Sequence, residues 1–122
     1  MATAIPTDVE TLIENIRIEQ FWWDGVQIKI PFHCVYACIP NPVADEWKRI
    51  NGVNVPLMRV DKYLIPLCDP FHQNMTDMPK LAVVIFHPKG NQFGLFAYPA
   101  DHMDDHIMLS YDDWFETQSS FQ

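Results

Sequence analysis

Residues 47–69 read W-K-R-I-N-G-V-N-V-P-L-M-R-V-D-K-Y-L-I-P-L-C-D and predict two short strands that meet at a tight turn. The pair Asn51-Gly52 breaks the chain, an extended run over Val53–Val60 follows, and Asp61-Lys62 is the turn into the next extended run. Arg59 lies beside that turn among apolar residues, in a chain with few cations. We expect it to form either a bidentate contact with a partner or an internal ion pair.

The segments that follow and precede this stretch predict more strands and one long loop. Residues 43–50, which include Trp47, are expected to form a helical turn. Residues 68–80 carry two prolines and no glycine, so they predict a loop that is functional or mobile. Three further strands are predicted, and the first two of them are joined as a hairpin: residues 81–86, 93–98 and 106–111.

The pair Asp24-Gly25 predicts a second hairpin near the start of the β region. Both turn residues tolerate positive φ, and a two-residue loop places Trp23 opposite Val26. Alternation then puts Trp22 on the face opposite the predicted core face. An indole on that face needs an explanation, so Trp22 is a candidate contact residue.

The two ends of the chain predict one helix and a frayed tail. Thr7 and Glu10 form a capping box, and an apolar stripe follows at helical spacing. We therefore expect one domain over residues 1–122, with an N-terminal helix over 5–16, a β core over 17–111 and a tail over 112–122. Several short strands and one helix predict a mainly β fold of small antiparallel barrels.

Composition and charge limit the partners. Sixteen acidic residues against eight Lys plus Arg give a formal charge of -8, which repels nucleic acid and favours basic protein surfaces. No apolar run is long enough to span a bilayer, so we expect no membrane insertion and a cytoplasmic location. The three cysteines are expected to be reduced thiols that fill the core. A small acidic inhibitor or immunity-type protein that binds a basic partner is one interpretation of this charge.

Catalytic and metal-binding patterns are weak. His102 and His106 have the spacing of two metal ligands on a helix, but Pro99 and the neighbouring acidic pair favour a solvated loop, so we predict no metal and no cofactor. No Ser or Cys lies in a local motif that supplies both a base and an orienting third group, so we predict no enzymatic activity. Exposed tryptophans remain as candidate protein contacts, with core packing as the alternative: Trp22, Trp47 and Trp114.

Three groups of residues follow one another in an order that resembles a known family. They are Ile30-Pro31-Phe32-His33-Cys34-Val35; then Trp47, Gly52, Val53, Asn54, Arg59, Pro66 and Asp69; then Ala82-Val83-Val84 with Gly90 and Gly94-Leu95. The order is similar to that of the CheW-like chemotaxis coupling proteins, particularly the adaptors of chemosensory systems that control type IV pili. The resemblance covers about residues 20–110 and describes a divergent, short member.

The resemblance implies a fold of two small SH3-like barrels and a non-enzymatic role in signal transduction. An adaptor of this kind couples chemoreceptors and a histidine kinase, or contacts another pilus-motility protein. By position in the motifs, Gly52, Asn54 and Arg59 are expected at a protein-binding surface, and Trp22 and Trp47 are the aromatic candidates to join them. A homodimer that completes shortened strands is a further expectation.

Overall fold

The computed structural model describes residues 15–87 and 94–119, and in these residues the protein is mainly β. A short 3-10 turn, Phe32–Cys34, separates the second and third strands. The elements, in chain order, are β1 Asn15–Trp23, β2 Val26–Pro31, β3 Val35–Pro40, β4 Ala44–Ile50, β5 Val53–Val60, β6 Tyr63–Pro66, β7 Leu81–Phe86, β8 Leu95–Ala100, β9 His102–Met103, β10 Ile107–Ser110 and α1 Tyr111–Ser119.

The described strands form three antiparallel sheets. The first sheet has the order β10-β1-β2, with β9 also paired to β1; the central sheet is β3-β7-β8; the outer sheet is β4-β5-β6. A parallel bridge between Leu67 and Ala97 connects the end of the outer sheet to the central sheet, and the Cys68 amide donates to the Ala97 carbonyl at 2.8 Å.

The central sheet is packed on both faces, which explains the continuous apolar run at residues 81–86. Val83 and Ile85 pack against the first sheet, whereas Ala82 and Val84 pack against the outer sheet. Because successive side chains of a strand point to opposite faces, a strand buried on both faces needs an apolar residue at every position. The hairpin of β7 with β8 and the register of the β1–β2 hairpin were both predicted and are confirmed.

An N-terminal helix was predicted over residues 5–16, but the α-helix among the described residues lies near the C-terminal end instead. Residues 1–14 lie outside the described residues, but Asn15 and Ile16 belong to β1 and pair with Ser110 and Leu109 of β10. Ile16 and Ile18 point to one face of β1 at strand spacing and pack together on Trp114. This strand pairing overrides the helical spacing at Ile16.

The helix that is described lies at the C-terminal end, where a frayed tail was predicted. The Asp113 amide donates to Ser110 Oγ at 3.1 Å, and Asp112 and Asp113 occupy the first turn. A serine cap and acidic residues both stabilise a helix start. Trp114 is 7% exposed and packs on the first sheet, so residues 112–119 of the predicted frayed tail over 112–122 are helical, as is Tyr111, which was expected to end the β core.

Three other predictions require correction. The helical turn at residues 43–50 is strand β4, because the Asn51-Gly52 turn pairs it with β5; φ is 51° at Asn51 and 80° at Gly52. Within residues 15–87 and 94–119 the strands close no barrel, since β2 and β10 end the first sheet without pairing with each other. The cysteines are not buried core residues: Cys38 is exposed, and Cys34 and Cys68 are half-buried, although Cys34 packs against the core between the first and central sheets.

Candidate functional site

Strand β4 is exposed along most of its length. It is an outer strand of the outer sheet, and every residue from position 45 to 50 is exposed, whereas β5 beside it is buried at positions 55–58. Trp47 is 41% exposed, and Val43, just before the strand, is 77% exposed. The β4–β5 hairpin therefore presents apolar and charged side chains to solvent on a rigid two-residue turn.

The backbone of β5 makes its remaining hydrogen bonds on the side away from β4. The Pro56 carbonyl accepts from the Leu67 amide at 2.9 Å. The Asn54 amide donates to Asn74 Oδ1 at 2.7 Å, and the Asn54 carbonyl accepts from the Met75 amide at 3.3 Å. The long loop, residues 68–80, is thus hydrogen-bonded to β5 at Asn54. Both main-chain groups of this predicted site residue are occupied by these bonds.

These bonds determine which main-chain groups of β4 face outward. Trp47 is opposite Pro56 and Arg49 is opposite Asn54. In an antiparallel pair that is not hydrogen-bonded, the N–H and C=O groups of the two residues point away from each other. Because Pro56 and Asn54 point away from β4, Trp47 and Arg49 point their N–H and C=O groups to the open side. None of the described strands pairs with this side of β4, so within residues 15–87 and 94–119 it is an open edge with regularly spaced donors and acceptors.

Arg59 lies on β5 at the far end of the hairpin from the Asn51-Gly52 turn. Its Nη2 lies 3.2 Å from Asp45 Oδ2, and the Arg59 and Asp45 side chains are 53% and 48% exposed. Of the two alternatives expected for Arg59, a partner contact or an internal ion pair, the structure has the ion pair. An exposed ion pair contributes only about 0 to 1 kcal/mol to the stability of the fold. The guanidinium therefore remains accessible to a partner.

The other predicted site residues are spread along the hairpin or lie elsewhere. Gly52 forms the turn with φ of 80°, and a Cβ at this position would meet open space, so the conformation of Gly52 is its role there. Asn54 and Arg59 are five residues apart on one strand, which is about 16 Å. Gly52, Asn54, Trp47 and Arg59 thus share one hairpin without converging on one point.

Trp22 lies on a different sheet and is held by its own chain. Its Nε1 donates to Asp104 Oδ2 at 2.6 Å, and Gln27 Nε2 donates to the same oxygen at 3.1 Å. The indole also stacks on the His102 ring, with centroids 6.1 Å apart. The residues around position 104 cover this face of the first sheet, so the structure gives Trp22 an internal role and does not bring it to the hairpin.

The histidine pattern at positions 102 and 106 does not gather metal ligands. Both side chains are exposed, and His102 Nε2 is 3.9 Å from Asp104 Oδ1. In the part of the chain that the structure describes, no three His, Cys, Asp or Glu side chains are placed to hold a metal ion.

Two depressions flank the long loop. One, of about 410 Å³, is lined by four carboxylates and one lysine among other residues: Asp24, Asp69, Asp77, Asp101 and Lys80. The other, of about 320 Å³, brings Cys68 near His72, His87 and Tyr98. Burial raises the pKa of the Cys68 thiol and of the Tyr98 hydroxyl. A lowered pKa favours a nucleophilic cysteine, so the shift at Cys68 goes in the opposite direction.

Sequence reasoning missed the role of Asp69. It is 8% exposed, and its carboxylate accepts from Trp23 Nε1 at 3.2 Å and from the Phe71 amide at 2.7 Å. These bonds tie the start of the long loop to the end of β1. An aspartate between an apolar run and a proline was the available signal, because such a side chain commonly bonds to the backbone two residues on.

Comparison of the sequence with protein-family models gives no match, and comparison with curated proteins gives none either. Among the described residues, no helix has the length and apolar character to cross a bilayer.

Proposed function

We propose that this protein is a non-enzymatic binding module that docks a protein partner at the Arg59 end of the β4–β5 hairpin. Ala44 and Met58 form the last pair of the β4–β5 ladder, and Val43 and Arg59 each lie one residue beyond that pair. The observation that carries the proposal is this combination of an exposed guanidinium with Val43, which is 77% exposed. Arginine is one of the residue types in which binding hot spots are enriched.

The partner class follows from the sequence resemblance. We propose an adaptor that contacts a histidine kinase, a chemoreceptor tip or another pilus-motility protein of a chemosensory system, and such a role belongs in the cytoplasm. The support is the order of the three motif groups and the position of the second group, which forms the exposed hairpin and the strand after it.

The test is a binding titration with purified proteins. The chemosensory kinase and receptor tips from the same genome are titrated with the wild-type protein and with Arg59→Ala. We expect the variant to bind roughly tenfold or more weakly, as for an interface arginine. Arg17→Ala is the matched control, because Arg17 is also an exposed arginine but lies on β1 of the first sheet. Equal affinity of Arg59→Ala and wild type would contradict the proposal.

A second proposal is a small acidic inhibitor of a basic protein. The formal charge of -8 favours it, and the depression lined by four aspartates concentrates part of that charge beside the long loop. Association driven by such charge slows steeply as salt is raised. If binding to a basic partner persists unchanged at high salt, this second proposal is wrong.

A further inference from the structure

The open edge of β4 carries a charge pattern that is its own complement. Around Trp47 the order is Asp45, Glu46, Trp47, Lys48, Arg49, so two acids precede the indole and two bases follow it. All five side chains are exposed, and Trp47 and Arg49 direct their main-chain donors and acceptors outward. Reversing the direction of this strand exchanges the acids for the bases around the same centre.

We propose that a second copy of this chain pairs with β4 in antiparallel fashion, with the two-fold axis passing beside Trp47. The Trp47 residues of the two copies are then directly opposite each other. Each Glu46 faces Lys48 of the second copy, and each Asp45 faces Arg49 of the second copy. A two-fold interface presents the same patch from both copies, so every attractive pair occurs twice.

The backbone geometry agrees with this register. In an antiparallel ladder the two residues of a hydrogen-bonded pair exchange both N–H to O=C bonds. Trp47 offers an outward N–H and an outward C=O, so two opposed Trp47 residues satisfy each other. The register of β4 with β5 shifts between Ala44 and Glu46, which ends the regular edge there. The intermolecular ladder is therefore short and centred on Trp47.

The charges select this arrangement over the alternatives. Parallel pairing of two β4 strands in register places acids opposite acids and bases opposite bases, which is destabilising. Antiparallel pairing centred on Glu46 or on Lys48 places that residue opposite its own copy, so like charges meet at the two-fold axis. Repulsion between two copies of charge -8 is limited, because charges farther than about 8 Å from the interface are screened at physiological salt.

The inference goes beyond the proposed adaptor function, because it concerns the open edge of β4 and not the Arg59 end. The two surfaces meet at Asp45, which also pairs with Arg59. Glu46 and Lys48 have no part in that ion pair, so they are the residues to vary.

The experiment is sedimentation equilibrium on full-length protein with reciprocal charge reversals. Wild type is expected to show a concentration-dependent dimer in the micromolar to millimolar range. Glu46→Lys or Lys48→Glu turns two attractive pairs per dimer into two repulsive ones, so each variant alone is expected to dimerise roughly tenfold or more weakly. An equimolar mixture of the two variants restores opposite charges at both pairs and is expected to form a heterodimer with wild-type affinity.

A backbone variant tests the strand pairing itself. Arg49→Pro removes an N–H that faces outward and leaves the bonds between β4 and β5 in place. Arg49→Ala removes the same side-chain charge and keeps the N–H, so it should dimerise more tightly than Arg49→Pro. Far-UV circular dichroism checks that each variant keeps its β content.

Two results would overturn the inference: a wild-type protein that stays monomeric across the concentration range, or reversals that fail to complement each other when mixed. Arg59→Ala separates this inference from the proposed adaptor function. It is expected to dimerise like the wild type even where it has lost the signalling partner, so the two proposals can fail independently.

Discussion

Replacing Asp69 by alanine is expected to detach the start of the long loop from the core. The Asp69 carboxylate accepts from Trp23 Nε1 and from the Phe71 amide, and only 8% of the residue is exposed. Alanine leaves both of these partly buried donors without this acceptor. The loop then loses its link to β1, and its other link to β5, through Asn54, remains.

The size of the effect follows from the two distances. A hydrogen bond to a charged group contributes about 1.5 to 3 kcal/mol. The bond from the Phe71 amide is 2.7 Å long and belongs within that range, whereas the bond from Trp23 at 3.2 Å is weaker. We expect Asp69→Ala to lower the free energy of unfolding by about 3 kcal/mol. That is a large share of the roughly 5 to 15 kcal/mol typical of a domain.

Urea denaturation followed by tryptophan fluorescence and far-UV circular dichroism measures the change. Asp101→Ala is the matched control, because Asp101 lines the same depression but its carboxylate accepts one bond, of 3.2 Å from the Asp24 amide, at an exposed position. It is expected to cost less than about 1 kcal/mol. If the two variants lose the same stability, the Asp69 carboxylate does not fasten the loop.

Three further predictions concern the helix, the ion pair and the thiols. Trp114→Ala is expected to cost about 3 kcal/mol or more in urea denaturation, whereas Phe115→Ala, at a residue that is 63% exposed, should change the stability little. Arg59→Ala should shift the free energy of unfolding by less than about 1 kcal/mol in the same assay, because its ion pair is exposed. Desolvation raises the pKa of the Cys38 and Cys68 thiols, and the Glu19 carboxylate adds to the rise at Cys38, so alkylation measured by mass spectrometry should accelerate only above the usual thiol range. Cys38, the more exposed of the two side chains, should react before Cys68.

Local turn chemistry made two of the hairpins predictable from sequence, those that turn at Asp24-Gly25 and at Asp61-Lys62, whereas Asn51-Gly52 was predicted only to break the chain after a helical turn. Asp24-Gly25, Asn51-Gly52 and Asp61-Lys62 all form two-residue turns between paired strands. The non-glycine residue at the first position has positive φ in each: 52° at Asp24, 51° at Asn51 and 54° at Asp61. A two-residue turn then dictates the register of its strands. This is why the pairing of Trp23 with Val26, and the position of Arg59 beside the Asp61-Lys62 turn, could be predicted.

Contacts between distant parts of the chain were not predictable in the same way. The partner of the Trp22 indole lies 82 residues along the chain, at Asp104. The C-terminal helix is short, so its periodicity is a weak signal, although Ser110 before two aspartates was a cap signal that sequence reasoning overlooked. Strand β4 has no alternation of polar and apolar residues because it is exposed on both faces, so its pairing with β5 determines its conformation.

The charge order of β4 is easier to explain if the strand pairs with a second copy than if its charges only protect the edge against unwanted pairing. An exposed outer strand risks pairing with other chains, and proteins guard such edges with charges, lysine or a bulge. An edge with charges of one sign would repel any other copy of this chain, and the sixteen acidic residues make an all-acidic edge the simplest choice. Instead, β4 places two of the eight basic residues of the chain, Lys48 and Arg49, after two acids. This order opposes a parallel copy and accepts an antiparallel one, so the same four charges both protect the edge and select its partner.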